Sequence, residues 1–459
     1  MTDPFIQSLN YLQSRSELNL TDLIDWCSIP SISSIATHQP DIQKAAEWAA
    51  QRLSQAGMQN VEILPTQGHP CVYGDWLKAD RDFPTILFYG HYDVQPALDL
   101  DAWVSPPFEP QLRDGRLYAR GASDMKGQAL AEIVAIEAVL KITGKLPLNV
   151  KFLLEGEEEI GSRHLRGFIK ENQYKLTCDY AIIIDAGMLN PDLPAITYGL
   201  RGGMRIFLEV YGPCTDLHSG VFGGTIHNPA QALIELIAGM HDEDGRVTLP
   251  GFYDGVRPIT ESERLDSARL PIDETYLLEM AGVAELWGDP DYSPYERTTS
   301  RPTLEVLAIQ AGLPGEGVLN IIPAKASAAL SMRLVPDQDP KAAYQSLIDY
   351  LQENAPPTIR WETRFTGGGR GVLVDRNTPY VKAMHRALQE TWGTAPVYLR
   401  MGGGIPVVGM FQQELGIESV MTGFGLMDDN VHGPNEHLHL QTWQRGMQAL
   451  VRFLFEAAM

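Results

Sequence analysis

Three apolar runs of strand length fall within residues 1–200, and each ends in an acid or an imidazole. Thr85-Ile-Leu-Phe-Tyr-Gly90 runs into His91-Tyr92-Asp93, and Asn149-Val-Lys-Phe-Leu-Leu154 into Glu155-Gly-Glu-Glu-Glu159. Tyr180-Ala-Ile-Ile-Ile184 runs into Asp185. Runs this apolar, rich in β-branched and aromatic residues, read as strands covered on both faces, which is the habit of parallel sheets. In open sheets of that kind, reactive groups collect outside the carboxyl ends of the strands. The three ends then deliver a histidine and several acids into one crevice. Carboxylates crowded there raise one another's pKa unless a cation sits among them. An isolated acidic loop is more often a solvated turn, and a lone His-x-Asp more often a surface feature. Three converging strand ends favour a metal site over both.

Helical patterns alternate with these strands. Residues 41–53 place Ile42, Ala45, Ala49 and Leu53 on one face, and a long apolar helix begins near Gln128, interrupted by Glu132 and Glu137. This alternation predicts an α/β domain with a mostly parallel sheet. A loop-rich stretch ends in Arg120-Gly-Ala-Ser-Asp-Met-Lys-Gly127 just before the helix. An acid there is favoured by the unpaired N–H groups and the dipole, which by itself accounts for Asp124. After Leu200-Arg-Gly-Gly203 the texture changes. Residues 204–211 and 326–334 alternate like half-exposed strands, with helical patterns at 229–240 and 341–352. That predicts an α+β domain whose sheet has one open face. The expected organisation is an α/β catalytic domain at 1–200 and 372–459, carrying an inserted α+β lid or dimerisation domain at 201–371.

At 459 residues the chain exceeds the size at which single cores stop growing, consistent with two domains. A formal charge of −22 excludes nucleic acid or an anionic membrane as the main partner. Cys27, Cys71, Cys178 and Cys214 are scattered without a CxxC pair, as in a reducing compartment. The N-terminus lacks a basic segment leading into an apolar one, and no run approaches the ~18 apolar residues of a bilayer span. The expected location is cytoplasmic.

The segments Gly90-His-Tyr-Asp-Val94, Arg120 to Gly127, Glu155-Gly-Glu-Glu-Glu-Ile-Gly-Ser162, Asp185, His218 and Val431-His432 occur in order over nearly the whole chain. Together they resemble the two-metal peptidases and amidohydrolases that include carnosinases, bacterial dipeptidases, glutamate carboxypeptidases and aminoacylases. Asp254-Gly255, Asn320-Ile-Ile-Pro323 and Met332-Arg-Leu-Val-Pro336 look most like the dipeptidase and carnosinase branch. The resemblance implies that His91 and Asp185 hold one metal, that Glu159 and His432 hold the other, and that Asp124 bridges them. Oxygen and imidazole ligands without thiolate suit Zn²⁺, with Mn²⁺ or Co²⁺ as substitutes. It further implies that Asp93 orients the His91 imidazole and that Glu158 is the general base. His218 would be an ordinary turn histidine by itself. The resemblance instead makes it a donor to the oxyanion, contributed in trans within a homodimer. Arg333 matches an arginine that binds the substrate's C-terminal carboxylate, and Asn320 also reaches substrate. Two positions depart from the carnosinase-like pattern: Met401 stands where an acidic residue is usual, and Gly404 where a hydroxyl residue is.

The expected reaction is hydrolysis of the peptide bond of dipeptides or short peptides by a metal-bridging hydroxide, with Glu158 as base. The alternative is an N-acyl-amino-acid amidohydrolase, a deacylase or aminoacylase, using the same metals. A retired, non-catalytic relative is expected to lose the base or a ligand, and this chain keeps all of them. The glycines at 200–203 and 367–371 are expected hinges.

Overall fold

A computed structural model describes residues 3–80, 82–312 and 319–458. Two compact units divide the chain: Met1–Tyr198 with Val374–Leu399 and Ile405–Met459, and Gly199–Leu373 with Arg400–Gly404.

The first unit is built on a mixed sheet whose centre is parallel. Asn149–Glu155, Thr85–His91, Tyr180–Ile183 and Glu418–Met421 lie side by side and run the same way. Antiparallel strands Gln59–Leu64 and Cys71–Trp76 extend one edge. The apolar runs are buried along their lengths, as helices on both faces require. Register then does the work of bringing chemistry together: His91 pairs with Glu155, and Tyr89 with Ile183. The ends of three neighbouring strands are level.

Helix Gly127–Thr143 is buried on nearly all sides because helices Pro4–Ser14, Gln39–Ala56 and Leu440–Glu456 pack on it. Its acids are dealt with in two ways. Glu137 is paired to Arg52 at 2.5 Å and accepts the Tyr11 hydroxyl at 2.9 Å. Glu132 has no hydrogen-bond partner among the described residues, and burial pushes its pKa well up.

The second unit is an antiparallel four-stranded sheet in the order Thr303–Ala311, Lys325–Leu334, Gly202–Tyr211, Arg360–Gly369. Alternation in Lys325–Leu334 sends Leu330 and Met332 into a core with Leu233 and Leu347, from helices Pro229–Ala238 and Pro340–Asn354, and leaves the other face open. The edge strand Thr303–Ala311 exposes Val306, Leu307 and Ile309. Gly202 is required by close approach: a Cβ there would lie 2.2 Å from the Gly369 carbonyl oxygen. Three short helices, Glu261–Ser267, Glu274–Ala281 and Pro294–Thr299, complete the unit.

Candidate metal centre

The level strand ends create the site. His91, fully buried, places Nε2 3.1 Å from Asp124 Oδ1 and 3.8 Å from Asp185 Oδ1. His432 places its Nε2 2.9 Å from Asp124 Oδ2 and 3.1 Å from Glu159 Oε2. The two oxygens of Asp124 therefore face two separate groups, each of one histidine and one further acid. Within each group the donor atoms all lie within 4.8 Å of one another. His432 sits at φ 63°, a left-handed conformation that a non-glycine residue keeps only where its surroundings impose it.

Five residues separate four acids with four different surroundings. Glu155 accepts the Tyr89 hydroxyl at 2.5 Å and Ser162 at 2.8 Å, and burial pushes its pKa to about 8. Glu157 accepts the backbone N–H groups of His69 and His164, each at 3.2 Å. Glu157 also pairs with His164 Nδ1 at 2.9 Å, and among the described residues neither Glu155 nor Glu157 makes an ion pair with His91 or His432. Glu159 is steadied by Gln95 Nε2 at 2.9 Å. Glu158 has its pKa pushed well above the ordinary carboxylate range, chiefly by burial, with Asp185 and Glu159 adding to it and His91 opposing.

Asp93 holds this arrangement. His91 Nδ1 lies 3.0 Å from the Asp93 backbone carbonyl and 3.5 Å from its carboxylate, so the carbonyl is the nearer acceptor. The carboxylate itself accepts the N–H groups of Glu158 at 3.2 Å and Glu159 at 3.1 Å. One buried acid thus fixes the imidazole and both neighbouring glutamates. Gln95 was not foreseen from the sequence. Its signal is the two-residue spacing His91, Asp93, Gln95, which continues along one side of an extended segment.

The residues fit divalent cations. Among the described residues, every ion-pair contact of Asp93, Asp124, Asp185 and Glu159 is to His91 or His432, and none is to a lysine or arginine. Burial pushes Asp185 up to about 6, with His91 opposing. Asp124, Glu159 and Asp185 are the carboxylates that divalent ions would engage. A donor set of carboxylate and imidazole without thiolate matches Zn²⁺, Mn²⁺ or Co²⁺.

The remaining predicted residues belong to the second unit. Leu217–His218 pairs antiparallel with Ile321–Ile322, and Ser219 N–H donates to the Asn320 carbonyl at 2.8 Å, so His218 and Asn320 share one ribbon. His218 is exposed. Its Nδ1 accepts the Gly220 N–H at 3.0 Å, which puts the proton of the neutral ring on Nε2. Arg333, also exposed, lies between Gly203 and Thr303 in the sheet and makes no ion pair among the described residues. Nearby Arg201 is buried, donates to the Gly402 and Arg301 carbonyls at 3.0 and 3.2 Å, and has its pKa lowered to about 10 by burial and by Arg333. Gly404 packs against it: a Cβ at 404 would lie 2.7 Å from the Arg201 carbonyl oxygen. A hydroxyl side chain has no room there.

A parallel-centred sheet that delivers two histidine–carboxylate groups around one shared aspartate defines a class, the hydrolases built on paired metal ions. Residues 87–456 match the model of peptidase family M20/M25/M40, and the chain belongs to that family. A Beta-Ala-His dipeptidase of Homo sapiens is 29% identical over 464 residues, covering 98% of this chain and 92% of the relative. A Cys-Gly metallodipeptidase of Candida albicans is 31% identical over 449 residues, covering 93% and 92%. Among solved structures, human carnosine dipeptidase 1 aligns with a TM-score of 0.83 at 28% identity over 99% of both chains. An M20 metallo-carboxypeptidase of Sulfolobus solfataricus aligns at 0.85 and 33% identity, over 96% of this chain and 99% of its own.

Proposed function

We propose that this chain hydrolyses the peptide bond of dipeptides and short peptides with a free carboxylate, using two divalent metal ions, Zn²⁺ in the first place. The carrying observation is Asp124, whose two oxygens each face a separate histidine–acid group. His91 and Asp185 would hold one ion and Glu159 and His432 the other, with Asp124 available to both. When bound, such ions polarise a carbonyl and lower the pKa of water. Glu158 takes a proton from the attacking water and gives it to the leaving amine. Burial raises its pKa, which favours its holding that proton. Asp93 holds Glu158 by its backbone and His91 by its ring, so base and ligand keep one geometry.

The substrate's carboxylate is bound by Arg333, whose planar fork of donors makes no ion pair among the described residues, and Asn320 contributes a second polar contact. His218 donates through Nε2 to the developing oxyanion of the partner subunit's site. Its exposure and fixed tautomer support that role, and the apolar unpaired edge at Thr303–Ala311 supports a homodimer. The four cysteines are all unpaired, which supports a cytoplasmic location. Among the described residues no helix is long and apolar enough to cross a membrane.

Metal-stripped protein, resupplied with Zn²⁺, Mn²⁺ or Co²⁺, is tested on free dipeptides and on N-acyl amino acids. Metal-dependent cleavage of free dipeptides is the expected result. Cleavage confined to acylated amino acids would move the chain to the amidohydrolases, with Gly404 the first residue to examine. Action in trans is read from mixed dimers of E158Q and H218A chains, each inactive alone. Mixing should restore activity, because one site of each hybrid then has both residues.

A further inference from the structure

Glu436 is fully buried on the loop that carries His432, and its carboxylate is surrounded by donors from the segment that carries Asp124. Oε1 accepts the N–H groups of Ser123 at 3.0 Å and of Asp124 itself at 3.1 Å. Oε2 accepts the Gly121 N–H at 2.9 Å and Arg120 Nη1 at 2.6 Å. The tie runs back as well: the Glu436 carbonyl accepts the Ala119 N–H at 3.1 Å, and Arg120 Nη2 donates to the Gly433 carbonyl at 3.0 Å. No other side chain described here joins the two ligand-bearing loops through as many donors. Asp429, the neighbouring buried acid, reaches the same segment only through the Ser123 hydroxyl.

We propose that Glu436 is a positioning residue for the metal pair: it clamps the backbone of the shared ligand Asp124 to the loop of His432 and so sets the separation of the two ligands. The inference rests on the proposed assignment of Asp124 and His432 as ligands. Both oxygens of Glu436 are engaged by donors only, so the residue must be an acceptor at both ends. Glutamine has the same shape but one acceptor, and its amide would turn N–H toward two N–H donors. Whichever way the amide turns, one pair of donors, Ser123 and Asp124 or Gly121 and Arg120, loses its acceptor, and the segment that carries Asp124 loses part of its tie to the His432 loop.

Metal-stripped wild type, E436Q and a comparator, E137Q, are titrated with Zn²⁺ by calorimetry, with thermal unfolding of each measured alongside. Glu137 is a buried ion-pair acid of the same unit whose contacts, to Arg52 and Tyr11, lie away from the site. Wild type should bind two ions per chain. E436Q should bind at least one of them about 10- to 100-fold more weakly, the range for residues that orient metal ligands. E137Q should lose stability and keep wild-type affinities. E436Q titrating like wild type overturns the positioning role. Wild type taking up fewer than two ions overturns the metal centre itself, which is a different failure. If E436Q does not fold, E436D keeps the charge with a shorter reach. Weakened binding in E436D supports the role, and wild-type affinity in it refutes the role.

Discussion

Restoring a hydroxyl at position 404 is the natural way to make this chain more like the carnosinases it resembles, and the structure predicts that G404S will harm it. The added Cβ would lie 2.7 Å from the Arg201 carbonyl oxygen, a contact that real Cβ atoms do not make. That carbonyl cannot simply retreat. Arg201 is held on three sides, by its own N–H to Met401 O at 3.3 Å and by its guanidinium to Gly402 O and Arg301 O. Overpacking of this kind costs about 1–3 kcal/mol. In a unit of about 180 residues, each kcal/mol is worth roughly 2–4 °C, so thermal unfolding should fall by about 2–12 °C. The neighbouring G403S is the control, since a Cβ at Gly403 meets nothing within 4 Å. Its effect should stay within about 0.5 kcal/mol. Scanning calorimetry and the KM for a free dipeptide decide the matter. An unchanged transition in G404S together with a lower KM would refute the steric reasoning and show that the loop accommodates the hydroxyl.

E158Q should bind metal as wild type does and lose about 10²–10⁴-fold in kcat, checked by metal analysis beside dipeptide turnover. D93N replaces an acceptor of two N–H groups with a side chain that turns a donor toward one of them. Zn²⁺ affinity should fall about 10- to 100-fold by calorimetry. Asp429 has its pKa pushed up by burial to about 7. An acid with a raised folded pKa adds stability while protonated and loses it as pH rises through about 7. Both donors to Asp429, Ser123 Oγ and Leu426 N–H, use one oxygen, so an asparagine can keep them. D429N should therefore be more stable than wild type at pH 8, with the gap closing as pH falls toward 4. Unfolding midpoints of the two proteins across that range test this, and a constant gap would refute it.

The sheet and the gathering of the candidate metal-site residues were legible because both rest on local patterns: an apolar run marks a buried strand, and an acid or imidazole after it marks the strand's end. Helices at 39–56 and 340–354 followed from 3.6-residue periodicity, and the helix at 127–143 from a long apolar run. The short helices between residues 261 and 299 did not. They bury little, so no apolar face announces them, yet Thr260 with Glu263 and Ser293 with Glu296 are capping boxes that the sequence carried in plain form. The partition of the acids at 155–159 was half legible. Glu158 and Glu159 were separated by resemblance, whereas the burial of Glu155 and Glu157 depends on Tyr89, Ser162 and the His164 backbone, which only the fold brings near.

Lys126 shows how the site keeps its charge for the ions. It lies two residues from Asp124 and is fully buried, where an ammonium could neutralise that carboxylate. Instead its Nζ donates to the carbonyls of Trp26 at 3.0 Å and Ile29 at 2.8 Å, and burial lowers its pKa to about 8. Arg120, the other nearby cation, is taken up by Glu436. Had either cation paired with Asp124, Glu159 or Asp185, the carboxylates would have a partner of their own, and an entering ion would have to displace it. Asp93 and Glu436 follow the same logic in reverse. Asp93 is an acid satisfied by backbone N–H groups, and Glu436 by three backbone N–H groups together with Arg120, so neither leaves a lysine or arginine paired to Asp124, Glu159 or Asp185. Among the described residues only the two histidines, and no lysine or arginine, pair with Asp124, Asp185 and Glu159, which leaves these carboxylates available to divalent ions.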